Sequence, residues 1–323
     1  SIINWVNRHH NWQIQQEWIT FIPGIVKGIA FVLDCFTSKD HQIIIQPPVY
    51  HPFRIIPTLH HRIVVDNPLT LEAGQYKMDL EGLKNIINPA SKVLILCNPH
   101  NPGGRVWTRQ ELIDIAEICY EHKILVISDE IHSDLAFAPH KHIPFASVSE
   151  KAAQNSITFM APSKTFNIAG IVSSYSIIPN DELRKKFNKY LESSELDEGH
   201  IFAYLAAQIA YEHCDEWLAQ AKDYIWNNIK LVDEYLKANI PQIKAMTPEA
   251  SFLVWLDCRE LNLSQKALVS LFVDDAKLAL NDGEMFGQGG EGYMRLNVGT
   301  PLANIQKALD NLKKAVNAKQ IHD

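Results

Sequence analysis

Short runs of aliphatic and β-branched residues alternate with helical patterns from residue 20 to about 180, the arrangement expected of βαβ units around a mainly parallel sheet. One unit can be read in detail. Lys92–Cys97 reads as a strand that enters the turn Asn98–Gly104; Thr108 and Glu111 then have capping-box spacing ahead of a helix whose apolar face is Leu112, Ile115, Ala116 and Cys119. His122 and Lys123 stand at the negative end of that helix. The run Ile124–Ser128 is apolar up to its serine, as in a strand covered on both faces, and it delivers Asp129 at its C-terminal end. Ile43–Gln46 likewise leads to Pro47–Tyr50, and Ile157–Phe159 leads to Lys164. From about Ala206 long amphipathic helices replace the strands, and an α+β stretch closes the chain. The expected fold class is α/β, with a large part over residues 1–220 and a smaller C-terminal part over 221–323, although no Pro/Gly linker marks the division.

Four polar motifs therefore follow strand ends, and in open α/β sheets such positions converge on one crevice even when far apart in sequence. Composition narrows the classes that this crevice can serve. With 46% apolar and 21% charged residues among 323, the chain describes an ordinary globular protein, and its net charge of −7 argues against a nucleic-acid surface. The apolar helix from Gly24 to Phe36 carries Lys27 and Asp34 and is too short to cross a bilayer. Five scattered cysteines, an odd number without a CxxC pair, indicate neither a disulfide framework nor a zinc ribbon and fit a reducing cytoplasm. His60-His61 and His140-Lys141-His142 lack ligand spacing with carboxylates or cysteines, so no metal site is expected.

The chemistry concentrates on Lys164 in Ala161–Asn167. A lone Ser-Lys dipeptide is usually a surface turn, but a lysine amine can also condense with an aldehyde cofactor and move a proton. The other parts of a pyridoxal-phosphate site have candidates. Asp129 in SDEIH is placed to sit beside a pyridine nitrogen, although alone it reads as a helix cap. Gly24-Ile25-Val26 opens a helix after Pro23, where free amides favour an anion such as the phosphate. Tyr50 could stack on the ring or simply pack, Asn101 could donate to the phenolic oxygen or form an Asx turn, and Arg295 could grip a substrate carboxylate or lie on the surface. Gly287–Gly292 satisfies GxGxxG but precedes a strand instead of opening a helix, so it reads as a hairpin-like loop positioning Arg295.

Together PPVY, CNPHNPGG, SDEIH, SKTFN and RLN resemble the fold-type I pyridoxal-phosphate enzymes of the class I/II aminotransferase superfamily. Within it, Trp18, Pro23-Gly24, PPVYHPF, CNPHNPGGRVW and SDEIHSD look like the MalY/PatB-like cystathionine β-lyase, or C–S lyase, group. The resemblance covers nearly the whole chain. It implies the cofactor pyridoxal 5'-phosphate, catalytic roles for Lys164, Asp129 and Tyr50, and cofactor contacts from Gly24, Ile25, Val26, Tyr50, Asn101, Asp129, Ile131, His132, Ser163 and Lys164. It also implies that Arg295 binds the substrate carboxylate and that the protein is a cytoplasmic homodimer.

The chain departs from the superfamily at several points. His132 stands where aminotransferases usually have tyrosine, which favours a lyase; Val172 replaces a phosphate-binding arginine eight residues after the lysine; and Ala161 lacks a common hydroxyl. The family's N-terminal arm, which supplies a phosphate-binding tyrosine to the neighbouring subunit, has no counterpart, and the start at Ser1 before the Trp-rich stretch Ile2–Trp12 reads as the loss of an N-terminal portion. The expected activity is β-elimination from cystathionine or a cysteine S-conjugate, giving a thiol, pyruvate and ammonia. An aminotransferase and a regulatory protein retaining the fold are the alternatives.

Overall fold

The computed structural model describes residues 1–320. Its thirteen strands are β1 (Ile19–Ile22), β2 (Gln42–Ile45), β3 (Ile63–Asp66), β4 (Thr70–Glu72), β5 (Gln75–Lys77), β6 (Ser91–Cys97), β7 (Leu125–Asp129), β8 (Ser156–Met160), β9 (Ser174–Ile177), β10 (Lys244–Met246), β11 (Leu253–Asp257), β12 (Asn281–Asp282) and β13 (Tyr293–Asn297). Seven form one sheet in the order β1-β9-β8-β7-β6-β2-β3. The run from β8 to β3 is parallel, while β9 and β1 add antiparallel pairings at the other edge. The expected mainly parallel α/β sheet is thus present, and the antiparallel edge is the part that the alternating pattern did not announce.

Alternation along the central strands explains why helices cover both faces. Ile43, Ile45, Val93, Ile95, Ile127 and Ile157 are buried in one cluster with the helix Ile25–Phe36. Their neighbours Ile44, Leu94, Leu96 and Val126 are buried in another with the helix Arg109–Glu121. A strand covered on both faces reads as a nearly continuous apolar run. The second helix begins as its sequence dictates: Thr108 accepts from the Glu111 amide, and the Glu111 carboxylate accepts from the Thr108 amide, completing the capping box. The first approaches the sheet so closely that a Cβ at Gly28 would meet Ile22 at 2.8 Å and the Phe159 ring at 3.0 Å.

The second sheet is antiparallel, in the order β10-β11-β13-β12. It packs with the helices Asp215–Asn239 and Leu302–Gln320 around Val254, Leu256, Phe272 and Met294. The helix Asp215–Asn239 runs unbroken through residues 220 and 221; Leu218 is buried beside Trp5 and Phe166, whereas Ile229, Val232 and Leu236 belong to the second core. That continuity is why no linker composition is legible there. Gly287–Gly292 lies in the connection from β12 to β13, as the hairpin reading expects, and Gly287, Gly289 and Gly292 all have positive φ. No helix among the described residues is long and apolar enough to cross a membrane.

Candidate active site

The parallel strands end at a cavity of about 540 Å³ between the two sheets, and its lining includes Gly24, Ile25, Val26, Tyr50, Asn101, Asp129, Ile131, His132, Ser163, Lys164 and Arg295. Every site residue expected from the sequence therefore reaches one place. Tyr50 follows β2, Asn101 follows β6, Asp129 ends β7, and Lys164 lies on the single helical turn Pro162–Thr165 after β8. Arg295 comes from β13 of the second sheet, so the cavity exists only where the two bodies meet.

Asp129 is buried, and its Oδ1 accepts from the Ile131 amide at 3.1 Å. Burial pushes its carboxyl up to about 7, with the neighbouring Glu130 adding to the effect and the Ile131 amide and the Lys164 ammonium opposing it. Such a carboxylate lacks a close counter-charge. A protonated pyridine nitrogen supplies one.

Arg295 has the complementary problem. Its Nη1 donates to Asn101 Oδ1 at 2.8 Å and its Nη2 to Asn281 Oδ1 at 2.7 Å, while its buried Nε has no partner among the described residues. The guanidinium lies 4.8 Å from the Phe286 ring centroid, and burial lowers it to about 10. A half-buried guanidinium held by two neutral amides is suited to an anionic group from a ligand. The same bond settles how Asn101 is turned: arginine can only donate, so Oδ1 faces it and the Asn101 amino group is left to donate elsewhere.

At the far end of the cavity, the helix Ile25–Phe36 presents its first turn, whose amides have no acceptor four residues earlier. Gly24 has φ 103, and its own amide is engaged by Ile22 O and Ser174 Oγ, both at 2.9 Å, leaving the Ile25 and Val26 amides for an anion. Ser163, Ser173, Ser174, Lys27 and Val172 line this cavity as well. Lys27, Ser173 and Ser174 were missed in the sequence. Lys27 lies one helical turn after Gly24 and was visible in principle, whereas Ser174 reaches the cavity at the start of the antiparallel β9 and Ser173 just before it.

His132 is buried against Phe252, with ring centroids 5.8 Å apart and Nδ1 unpartnered. Burial, then the charges of Lys164 and Arg295, lowers its pKa to about 3, so the ring is neutral. Phe252, Leu253 and Asn297 complete the lining from the second body. Ser163, Lys164, Phe252 and Asn297 also border a second cavity of about 590 Å³ that includes Trp217 and Tyr224, which the sequence did not flag.

The donor set fits pyridoxal phosphate on structural grounds: a lysine, a buried carboxylate short of a cation, free amides at a helix start, an oriented amide donor and a ring at Tyr50 share one cavity. The sequence model for the family Aminotransferase class I and II matches residues 1–312. The chain is 41% identical over 317 residues to cystathionine beta-lyase PatB of Bacillus subtilis, covering 98% of this chain and 82% of that protein. It is 28% identical over 320 residues to the protein MalY of Escherichia coli, covering 98% and 81%. The crystal structure of cystalysin from Treponema denticola, which contains pyridoxal 5'-phosphate, superposes with a TM-score of 0.96 at 34% identity, covering 98% of this chain and 81% of that one. With the family's sequence model spanning nearly the whole chain and the fold of a cofactor-bearing relative reproduced, the protein belongs to the class I and II aminotransferase family of pyridoxal-phosphate-dependent, fold-type I enzymes.

Proposed function

We propose that this protein is a pyridoxal-phosphate-dependent carbon–sulfur β-lyase, which cleaves cystathionine or other cysteine S-conjugates to a thiol, pyruvate and ammonia. The observation that carries the reading is the convergence of Lys164, Asp129, Asn101, Tyr50 and Arg295 on one cavity, in a chain 41% identical to a cystathionine β-lyase. When bound, the cofactor supplies an aldehyde carbon for a lysine amine and an electron-poor ring that accepts the pair left at the substrate Cα.

The chain's own groups do the rest. The Lys164 amine bonds the aldehyde and, once released, takes the Cα proton as general base. Asp129 holds a proton on the pyridine nitrogen, in a water-poor setting where that charge pair is strong. Asn101 donates to the phenolic oxygen and Tyr50 covers the ring. Ser163 and the amides of Ile25 and Val26 hold the phosphate, with Gly24 shaping the turn, and Lys27 adds positive charge near the site that Val172 leaves without arginine. Arg295 grips the substrate carboxylate and so fixes the orientation of Cα. Ile131 and the neutral His132 border the cofactor, and His132 in place of a tyrosine favours elimination over transamination.

Pyruvate should appear from cystathionine without any keto-acid acceptor. Strict dependence on an acceptor would establish the aminotransferase alternative instead. We further take residues 1–220 as the cofactor-binding part and 221–323 as the smaller part, and read the protein as a cytoplasmic homodimer. Two observations support the last reading. All five cysteines are free, with burial pushing the thiols of Cys97, Cys119 and Cys258 upward, and Ile201, Phe202, Leu205 and Ile209 expose one apolar helix face.

A further inference from the structure

Lys164 stands on a helical turn of only four residues, Pro162–Thr165, between the end of β8 and Asn167 at φ 56. A turn this short does not fix its own geometry, because its few internal bonds cannot offset the entropy of ordering it. Two backbone bonds close it, Phe166 N to Pro162 O at 2.9 Å and Ile168 N to Ser163 O at 3.0 Å. The side-chain anchor comes from elsewhere: Thr165 Oγ1 donates to Asp134 Oδ2 at 2.7 Å. The other carboxylate oxygen of Asp134 accepts from Trp5 Nε1 at 3.0 Å and pairs with His10 Nε2 at 2.8 Å.

We propose that Asp134 is a positioning residue of the active site, which ties the lysine-bearing turn to the strand end carrying Asp129. Asp134 lies five residues after Asp129 on the segment leaving β7, and β7 pairs with β8, so one buried carboxylate bridges the two neighbouring strand ends that carry the reacting amine and its partner. Burial disfavours its charge, but the His10, Thr165 and Trp5 donors outweigh that cost and hold the carboxyl below its ordinary range. The other buried carboxylate of the segment provides the contrast. Glu130 is taken up by His142 at 2.7 Å, Ser128 at 2.8 Å and the Phe145 amide at 2.8 Å, none of which lies on the lysine's turn. Only Asp134 of the two reaches that turn.

The inference rests on the reading of Lys164 as the lysine that bonds the cofactor, and the test separates the two in the holoenzyme. Thr165→Val removes the hydroxyl at nearly constant volume, Thr165→Ser keeps it, and Lys164→Ala is the control. Thr165→Val should shift the visible absorbance of the bound cofactor and lower kcat roughly 10- to 100-fold with KM within about threefold of the parent. Thr165→Ser should restore both, and adding Asp134→Asn to Thr165→Val should cost little beyond either change alone. A Thr165→Val enzyme with the parental spectrum and kcat, or a Thr165→Ser enzyme with the same defect as Thr165→Val, overturns the proposal. If Asp134→Asn does not fold, the two Thr165 variants decide by themselves. A Lys164→Ala protein that retains absorbance and turnover overturns the reading of the site instead.

Discussion

Asp129, which is buried, and Arg295, which is half-buried, are groups of opposite sign, and each depends on what the cavity holds. Because burial raises Asp129 to about 7 from an ordinary 3.8, the folded, cofactor-free chain keeps a proton that the unfolded chain loses between those values. Stability contributed by that proton is present below about pH 4 and is lost as the pH rises through about 7. Asp129→Asn cannot ionise, so its melting temperature without cofactor should exceed that of the parent at pH 8, with a smaller difference at pH 5. Equal differences at the two pH values would count against the assignment. For Arg295, the fork matters more than the charge: Arg295→Lys should raise KM for the amino-acid substrate by roughly tenfold or more, with a lesser effect on kcat. Steady-state kinetics checks this, and an unchanged KM would remove Arg295 from the substrate site. Residue identities at this scale were legible because Lys164, Asp129 and Asn101 each follow a recognisable strand. The orientation of Asn101 was not, since it is set by an arginine 194 residues away.

Elements were readable where their causes are local. The helix Arg109–Glu121 starts with both halves of its capping box within four residues, and the central strands β2, β6 and β7 contain continuous aliphatic runs because both faces are covered. The antiparallel β1 and β9 were not announced, since their pairing joins Ile19–Ile22 to Ser174–Ile177 across about 150 residues. The lysine's turn was equally invisible as an element, being four residues held by distant partners. Gly28 offers a test at this scale. Its helix rests on Ile22 and Phe159 without room for a methyl group, so Gly28→Ala should destabilise by about 1–3 kcal/mol despite its better helix propensity. Because the same helix presents the Ile25 and Val26 amides, cofactor affinity should fall with it. Urea unfolding and cofactor titration measure both effects, and a stabilised variant would mean that the helix and sheet adjust freely.

In the whole molecule, the cavity is a product of two bodies, since Asn101 comes from the large sheet and Arg295 from the small one. The exposed apolar face at Ile201, Phe202, Leu205 and Ile209 is a further large-scale feature; Phe202 is 68% exposed, a costly placement unless another surface covers it. For the proposed homodimer, the double change Phe202→Asp and Leu205→Asp should shift sedimentation from dimer to monomer, and an unaltered sedimentation coefficient would count against this face as its interface. The sequence by itself determined the class of fold, the cofactor and a set of residues that the structure brings to one cavity, because hydrophobic period and strand-end motifs are written in short stretches of chain. Tertiary structure alone decided the antiparallel edge of the large sheet, the engagement of the Gly24 amide by Ser174, the aim of Asn101 and the anchoring of the lysine's turn by Asp134. Each of these rests on a contact between segments distant in sequence, and such contacts are specified by packing and buried hydrogen bonding, which no local pattern encodes.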